Sequence, residues 1–456
     1  MRAGEGTAEA RGQGDPVGKD AARPMVVAYV LLRFPYLTET FIADEASALQ
    51  GLGVPIRIVS LLGPRPGPVQ PLSRRLQREA WYAPGLLSPG IWRAQAHFLR
   101  KSPRLYLRLL LDLLRCPCAG TRQALKRILI FLKSVAVAYR FRAAGISVFH
   151  SHFAGLSGAG AAVCARLLGR PFTVTVHAYD LFVRQGLLGY VLERAAHVVC
   201  VSRYNAERIL SLRLCAGERV SVIRCGLDLS EFPYRGRAGS GRGSRQDPIR
   251  ILSVGSLIVK KGHKHLIDAC GLLRDRGVSF ACSIIGAGPE ERNLRRQVGS
   301  HGLESRVALM GARTRPEVIE AYAQHDLFVL ACVEAEDGDK DGIPVVLMEA
   351  GATGLPMIST GVSGIPELIA DRRTGLLVAP GDPLQLADAV LKVAGGPELA
   401  ESLSRSARRR VEEEFDIRRN AASLKEVFIG VSAEAGAAAD RDLPEDFLRR
   451  AERPCA

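Results

Sequence analysis

The same grammar is written twice along this chain, on either side of a segment with nothing to bury. The first set of short β-rich runs is MVVAYVLL (25–32), PIRIVSLL (55–62), ISVFHSHF (146–153), PFTVTVHAYD (171–180), HVVCVS (197–202) and RVSVIRCG (219–226). The second is IRILSVGSL (249–257), SFACSIIGAG (279–288), RVALMGA (306–312), DLFVLACV (326–333), LPMISTG (355–361) and GLLVA (375–379). Several are apolar throughout, as parallel strands covered on both faces must be. Helical stretches such as 156–169 and 262–277 fall between them. Strand and helix in alternation predict an open, doubly wound sheet. The expected fold is therefore α/β: two doubly wound, Rossmann-like domains, 25–234 and 248–415, facing across a cleft. Residues 235–247 (RGRAGSGRGSRQD) read as a linker, 1–24 as a flexible leader and 416–456 as a helix with a polar tail. Ligands of such sheets bind at the carboxyl ends of the strands, so the cleft is the expected site.

Composition agrees with two domains. The chain has 456 residues, 47% hydrophobic and 24% charged, which excludes a disordered chain, a collagen-like repeat and a coiled coil. A core of that size needs no disulfides. The ten cysteines are scattered without any Cys-x-x-Cys pair, and the Cys116-Pro-Cys118 element lacks partner ligands for a metal. A reducing, cytosolic compartment is expected. The longest clear apolar run, Val26 to Leu32, is far short of the ~18 residues of a membrane span. Residues 1–24 carry charges of both signs and no apolar stretch, so a signal peptide is not expected there, and Met25 is a candidate start.

The formal charge of +15 is concentrated. Twelve Lys/Arg against Asp112 alone, from Arg93 to Arg142, contribute +11 of it. Within that segment, LYLRLLLDLLR (105–115) and LKRILIFLKSVAVAY (125–139) place apolar residues at helical spacing between the bases. One reading is an amphipathic insert (93–142) resting on an anionic membrane surface, peripheral on its inner face. Another is a pair of core helices with a solvated basic face. A nucleic-acid patch is disfavoured, because interleaved aromatics and recognisable modules are missing.

Three elements of the second half suit a phosphorylated ligand. In VGSLIVKKGH (254–263), Gly255 ends a strand, and Lys260 and Lys261 precede Gly262 and a helix, an arrangement able to hold an anion. In IIGAGPE (284–290), Gly286 and Gly288 form a turn that either admits a ligand closely or is simply a turn. The third glycine of a dinucleotide fingerprint is missing, which argues against a dehydrogenase. The third element is EAEDGDKDGIPVVLMEAGATG (334–354), where Asp341 stands before a helix start and Glu349 one turn inside it. An apolar helix carrying a carboxylate needs a partner for it, either ligand hydroxyls or a salt bridge. Glu336, Asp337 and Asp339 lack EF-hand spacing and a nearby histidine, so a solvated acidic loop, not a metal site, is expected.

These residues carry a family likeness. The stretch resembles the retaining GT-B glycosyltransferases of the family called GT4, whose hallmark is two acids separated by seven residues. Here the pair would be Asp341 and Glu349, with Asp in place of the usual first Glu. FPYLTETFI (34–42), FHSHFA (149–154), TVHAYDLF (175–182), CVSRYNAERI (200–209), IRCGLDLSEF (223–232) and SGIPELI (363–369) extend the likeness over roughly 25–430, nearest the exopolysaccharide and colanic-acid branch.

The resemblance implies a nucleotide-sugar donor (UDP- or GDP-linked) and a polysaccharide-repeat or lipid-linked acceptor, with retention and without a metal or other cofactor. Glu349 would take the ribose hydroxyls, Asp341 the sugar hydroxyls, and Lys261 the leaving diphosphate. Gly255, Ser256, Lys260, Gly286, Gly288, Gly342, Ile343, Pro344 and Val345 would complete the donor side. His177 would face the sugar from the first domain, and Glu39 and Thr40 would line the acceptor side. Two departures stand out. Ser256 replaces the family's usual Arg, leaving Lys260, Arg224 or Arg313 to supply the second cation, and Asp341 is about 1.5 Å shorter in reach than Glu. Those departures keep a non-catalytic GT-B scaffold in view as the alternative.

Overall fold

The computed structural model describes residues 25–36, 39–65, 69–117, 120–183, 186–236 and 247–440. The expected leader, all but the ends of the linker, Cys118 and the tail past 440 lie outside the described residues.

Strands form where the apolar runs stand. β1 (Val26–Arg33), β2 (Ile56–Leu62), β3 (Trp81–Tyr82), β4 (Ile146–His152), β5 (Phe172–Val176), β6 (His197–Cys200) and β7 (Val220–Val222) make one parallel sheet, ordered β3-β2-β1-β4-β5-β6-β7. β8 (Ile249–Val254), β9 (Phe280–Ile285), β10 (Val307–Leu309), β11 (Leu327–Leu330), β12 (Met357–Thr360) and β13 (Leu376–Val378) make a second, ordered β10-β9-β8-β11-β12-β13. β1 pairs Tyr29 with Ile58 on one side and with His150 on the other, and its residues 27–30 are fully buried. β3 was not legible in the sequence, because two residues are too few to show a pattern.

Each sheet reverses its winding once, between β1 and β4 and between β8 and β11. Loops leaving the strands at such a point diverge and open a crevice beyond the carboxyl ends. The chain puts there the loops that precede Glu39 and follow His152 in the first sheet. In the second it puts Gly255–Lys261 and the acidic loop ending at Pro344.

Small residues set how closely the layers approach. The helix Leu156–Leu168 is Ala/Gly-rich and buried from Ser157 to Ala165. A Cβ on Gly160 would come within 2.8 Å of Leu61 Cδ1 and of Ser134 Oγ, so its absence lets this helix lie against β2 and the helix Thr121–Phe141.

The basic segment folds as the helices Pro89–Lys101, Pro103–Arg115 and Thr121–Phe141. The third sends Ile130, Phe131, Val135 and Val137 into the first domain's core. Two of its bases are buried. Arg127 donates to the carbonyls of Leu113, Cys116 and Pro117 as the preceding helix ends, and Lys133 Nζ donates to the Ala83 and Pro84 carbonyls at 3.1 and 2.9 Å. They satisfy carbonyls that the chain would otherwise leave unpaired. The outer face exposes Leu107, Leu111 and Leu125 among Arg104, Arg108, Arg115, Arg122 and Lys126. No described helix is long and apolar enough to cross a membrane.

After the helix Pro397–Glu414 the chain returns to the first sheet. Asp416 bridges to Leu227, and the helix Ile417–Asp440 buries Ala421, Leu424 and Phe428 against Val27, Tyr29 and Leu49. Burying Leu424 and Phe428 contributes roughly 1.5–3 kcal/mol each, enough to fasten this helix to the first domain.

Candidate active site

On the second-sheet wall, Pro344 caps the helix Val345–Thr353, where its missing N–H leaves no donor unpaired. Asp341 lies just before this start and Glu349 one turn inside it. Asp341 Oδ2 stands 2.9 Å from Lys261 Nζ and Oδ1 3.7 Å from Lys260 Nζ, while Lys260 Nζ lies 2.9 Å from Asp339 Oδ1. Burial pushes Asp341 up, but Lys261 and Lys260 outweigh it and hold the carboxyl below its ordinary value. Burial likewise pulls Lys261 down, and Asp341 more than restores it. The residue expected at the sugar and the residue expected at the phosphate are thus each other's partners. Two cations face two acids in a nearly neutral cluster.

Glu349 accepts a hydrogen bond from the Tyr322 hydroxyl at 2.8 Å. Burial holds its carboxyl above the ordinary value, with Tyr322 and Arg315 offsetting part of the effect. Arg315 itself pairs with Asp44 of the first domain at 3.3 Å and with Glu231 at 2.9 Å. Of the cations proposed to stand in at Ser256, Arg224 is bracketed by Glu367 and Glu414 at 2.8 and 3.2 Å, and Arg313 lies 3.6 Å from Glu317. Lys260 is the one already in the cluster. Gly286, at φ 153°, has room for no side chain: a Cβ there would collide with the Gly255 carbonyl, and one on Gly288 with the Leu257 carbonyl. These glycines let the loops after β8 and β9 nest.

On the first-sheet wall, His177 follows β5 and begins the helix Ala178–Phe182, its amide donating to Asp180 Oδ2 at 3.0 Å. Its Nε2 lies 3.3 Å from His152 Nδ1, His152 Nε2 lies 3.0 Å from Glu45 Oε1, and the Tyr29 hydroxyl donates to that oxygen at 2.6 Å. Burial and His152 push His177 down to about 3, so its imidazole is neutral. Glu39 and Thr40 open the helix Thr40–Gly51 that carries Asp44 and Glu45. The sequence had singled out neither Glu45 nor Tyr29, and His152 only as part of a motif.

Burial pushes the Glu39 carboxyl up to about 7, with His152 pulling it partly back. A carboxyl raised in the folded state favours folding below its unfolded value and loses that contribution as pH climbs through its folded value. Glu39→Gln is therefore expected to raise Tm at about pH 8, by at most ~3 kcal/mol of stability, and to leave it unchanged at about pH 4. Thermal denaturation at the two pH values checks this.

The walls meet. A Cβ on Gly342 would lie 3.8 Å from Ala178 Cβ, and Lys340 Nζ sits 4.4 Å from the centre of the Phe182 ring. Glu367 reaches across to the amides of Arg203 and Tyr204 at 3.0 and 2.9 Å, at the start of the helix Arg203–Ser211. The loop of Asp341 therefore packs against the residues that follow His177.

Two family profiles match, glycosyltransferase family 4 over residues 38–231 and glycosyl transferases group 1 over 240–410. The colanic acid biosynthesis glycosyltransferase WcaL of Escherichia coli (strain K12) is 32% identical over 88% of this chain and 99% of its own length. The chain belongs to glycosyltransferase family 4. The amylovoran biosynthesis glycosyltransferase AmsK of Erwinia amylovora is 29% identical over 86% of this chain and 96% of that protein. Among solved structures, Anabaena Alr3699/HepE in complex with UDP and glucose superposes with a TM-score of 0.65 at 14% identity, over 89% of this chain and 99% of that one. Sucrose-phosphate synthase of Thermosynechococcus elongatus gives 0.67 at 18% identity, over 90% and 100%. The two-sheet α/β architecture is the GT-B fold, and this family 4 glycosyltransferase carries the two acids on one wall and His177 on the other.

Proposed function

We propose that this glycosyltransferase moves a hexose from a UDP- or GDP-sugar to a polysaccharide-repeat or lipid-linked acceptor, with retention of anomeric configuration. The observation that carries this reading is the Lys260–Lys261–Asp339–Asp341 cluster at the switch point of the second sheet. A diphosphate competes with carboxylates for the two ammonium groups, since lysine is a compact, strong phosphate partner. Asp341, released by Lys261, then accepts from the sugar hydroxyls. Glu349 accepts from the two ribose hydroxyls, as a carboxylate does well, and the Ile343 and Val345 amides approach the sugar or phosphate. In the transfer, the bond from C1 to the diphosphate oxygen breaks and the acceptor oxygen bonds C1 on the same face. The acceptor's proton passes to the departing phosphate. Lys261 stabilises the charge that develops there. The complex of HepE with UDP and glucose supports the donor class, and the names of WcaL and AmsK support an exopolysaccharide acceptor.

A thermal-shift screen against UDP, GDP, ADP and their sugar conjugates tests the reading. Ligand at 100 times its Kd stabilises the fold by ~2.7 kcal/mol. A shift with one nucleotide that is lost in Glu349→Ala is the expected result. No shift with any of them and no turnover would give the lead to the non-catalytic scaffold. The acceptor end of the proposal puts the protein on the inner face of a membrane through 93–142, with exposed leucines among bases as the contact. Equal cosedimentation with anionic and zwitterionic vesicles would remove that part.

A further inference from the structure

From the middle of β1 to the carboxyl ends of β4 and β5 runs a line of polar groups that donor chemistry alone does not call for. Tyr29 comes from β1, Glu45 from the helix Thr40–Gly51, His152 from the end of β4, and His177 from just after β5. His177 lies against the rings of Phe41 and Phe153, with centroids 5.0 and 4.5 Å away. We infer that Glu45 and His152 are positioning residues that fix which ring nitrogen of His177 carries its proton.

The protons can be followed atom by atom. Glu45 Oε1 faces two donors, the Tyr29 hydroxyl at 2.6 Å and His152 Nε2 at 3.0 Å, and the carboxyl is held below its ordinary value as an acceptor-only group. Oε1 therefore takes the Tyr29 hydroxyl proton and an N–H from His152 Nε2. When His152 carries a single proton, Glu45 holds it on Nε2, and Nδ1 is left as an acceptor facing His177 Nε2. Facing nitrogens share a single proton, and here it belongs to His177. His177 is then the Nε2–H tautomer, and its Nδ1 is left as an acceptor for a ligand O–H. A carboxylate behind a histidine setting its tautomer is a general device.

A metal ion is the competing account, because ligand atoms of Glu45, His150 and His152 all lie within 4.8 Å of one another. Their nitrogens are already spoken for: His150 Nδ1 lies 2.8 Å from Thr173 Oγ1 and Nε2 3.3 Å from Thr175 Oγ1, while both nitrogens of His152 belong to the line above. The consequence for transfer rests on the reading of His177 as a sugar contact; the relay itself does not.

The test is long-range 1H–15N correlation on the full-length, ligand-free protein labelled with [15N]histidine, at about pH 8, above the ordinary histidine range. His152 and His177 are expected as Nε2–H tautomers. In Glu45→Leu the His177 signals should move to a tautomer mixture although Glu45 does not touch that ring, and Glu45→Gln, whose amide oxygen still accepts, should restore them. A wild-type His177 protonated on Nδ1 overturns the inference even if no variant folds. So does an unchanged His177 in Glu45→Leu, or added zinc that shifts His150 and His152 together. Once a donor is known, Glu45→Leu should lower kcat in the wild-type background and change nothing further in His177→Ala. Should His177→Ala itself leave kcat unchanged while the spectra agree, the sugar-contact reading fails and the relay stands.

Discussion

Lys261→Ala is expected to slow sugar transfer by about 10²–10³-fold, the usual cost of removing a group aimed at charge that develops in the transition state. Lys261 and Asp341 stand 2.9 Å apart with side chains only 14% exposed, where water does little to dilute the field. The variant also leaves Asp341 with Lys260 at 3.7 Å and the Cys332 thiol at 3.6 Å, and removing one partner of a buried ion pair costs up to roughly 3–5 kcal/mol of stability. Loss of rate and loss of fold therefore have to be separated. Lys261→Ala combined with Asp341→Asn removes both charges and should recover most of the lost Tm. Single-turnover rates on the double variant should stay well below those of Asp341→Asn alone. A double variant as fast as Asp341→Asn would mean that Lys261 serves the fold and not the leaving group.

Strand positions were readable because buried parallel strands are largely apolar on both faces, a condition met most fully by the runs that became β1, β11 and β13. Lys261 and Asp341 were legible only through their local motifs and the family likeness, and the switch point of the second sheet is what brings their loops together. Pairing across the chain left no such trace. Arg127 and Lys133 counted as surface charge in a basic stretch, whereas they end on backbone carbonyls fixed only by the packing of neighbouring helices. Glu45 and His152 are separated by 107 residues and meet at 3.0 Å. Neither shows a local pattern that marks it as half of a pair. The return of Phe428 to the first domain is of the same kind, since an amphipathic helix declares a buried face but not what covers it.

The two acids of the second domain are expected to respond in opposite directions when only the nucleoside diphosphate is offered. Glu349→Gln keeps an acceptor for Tyr322 but loses the charge that receives the ribose hydroxyls. Hydrogen bonds to a charged group contribute roughly 1.5–3 kcal/mol, so UDP or GDP should bind about 10- to 100-fold more weakly. Because burial holds Glu349 above the ordinary carboxyl value, the wild type should also begin losing nucleotide at a higher pH, on acidification, than an exposed glutamate would dictate. Asp341→Asn acts the other way. In the free protein Asp341 occupies the lysines that the diphosphate needs, so removing its charge should tighten nucleoside diphosphate binding about tenfold, or ~1.4 kcal/mol. Turnover of the nucleotide-sugar should nevertheless fall by about 10- to 100-fold, because the sugar hydroxyls lose a charged acceptor. Asp341→Glu, with one more methylene, should keep the exchange and reach further toward the sugar. Calorimetric titration with the diphosphate and rate measurement with the sugar conjugate give the two readings. Weaker diphosphate binding in Asp341→Asn would show that the aspartate anchors the lysines for the donor instead of competing with it, and the exchange of partners would have to be abandoned.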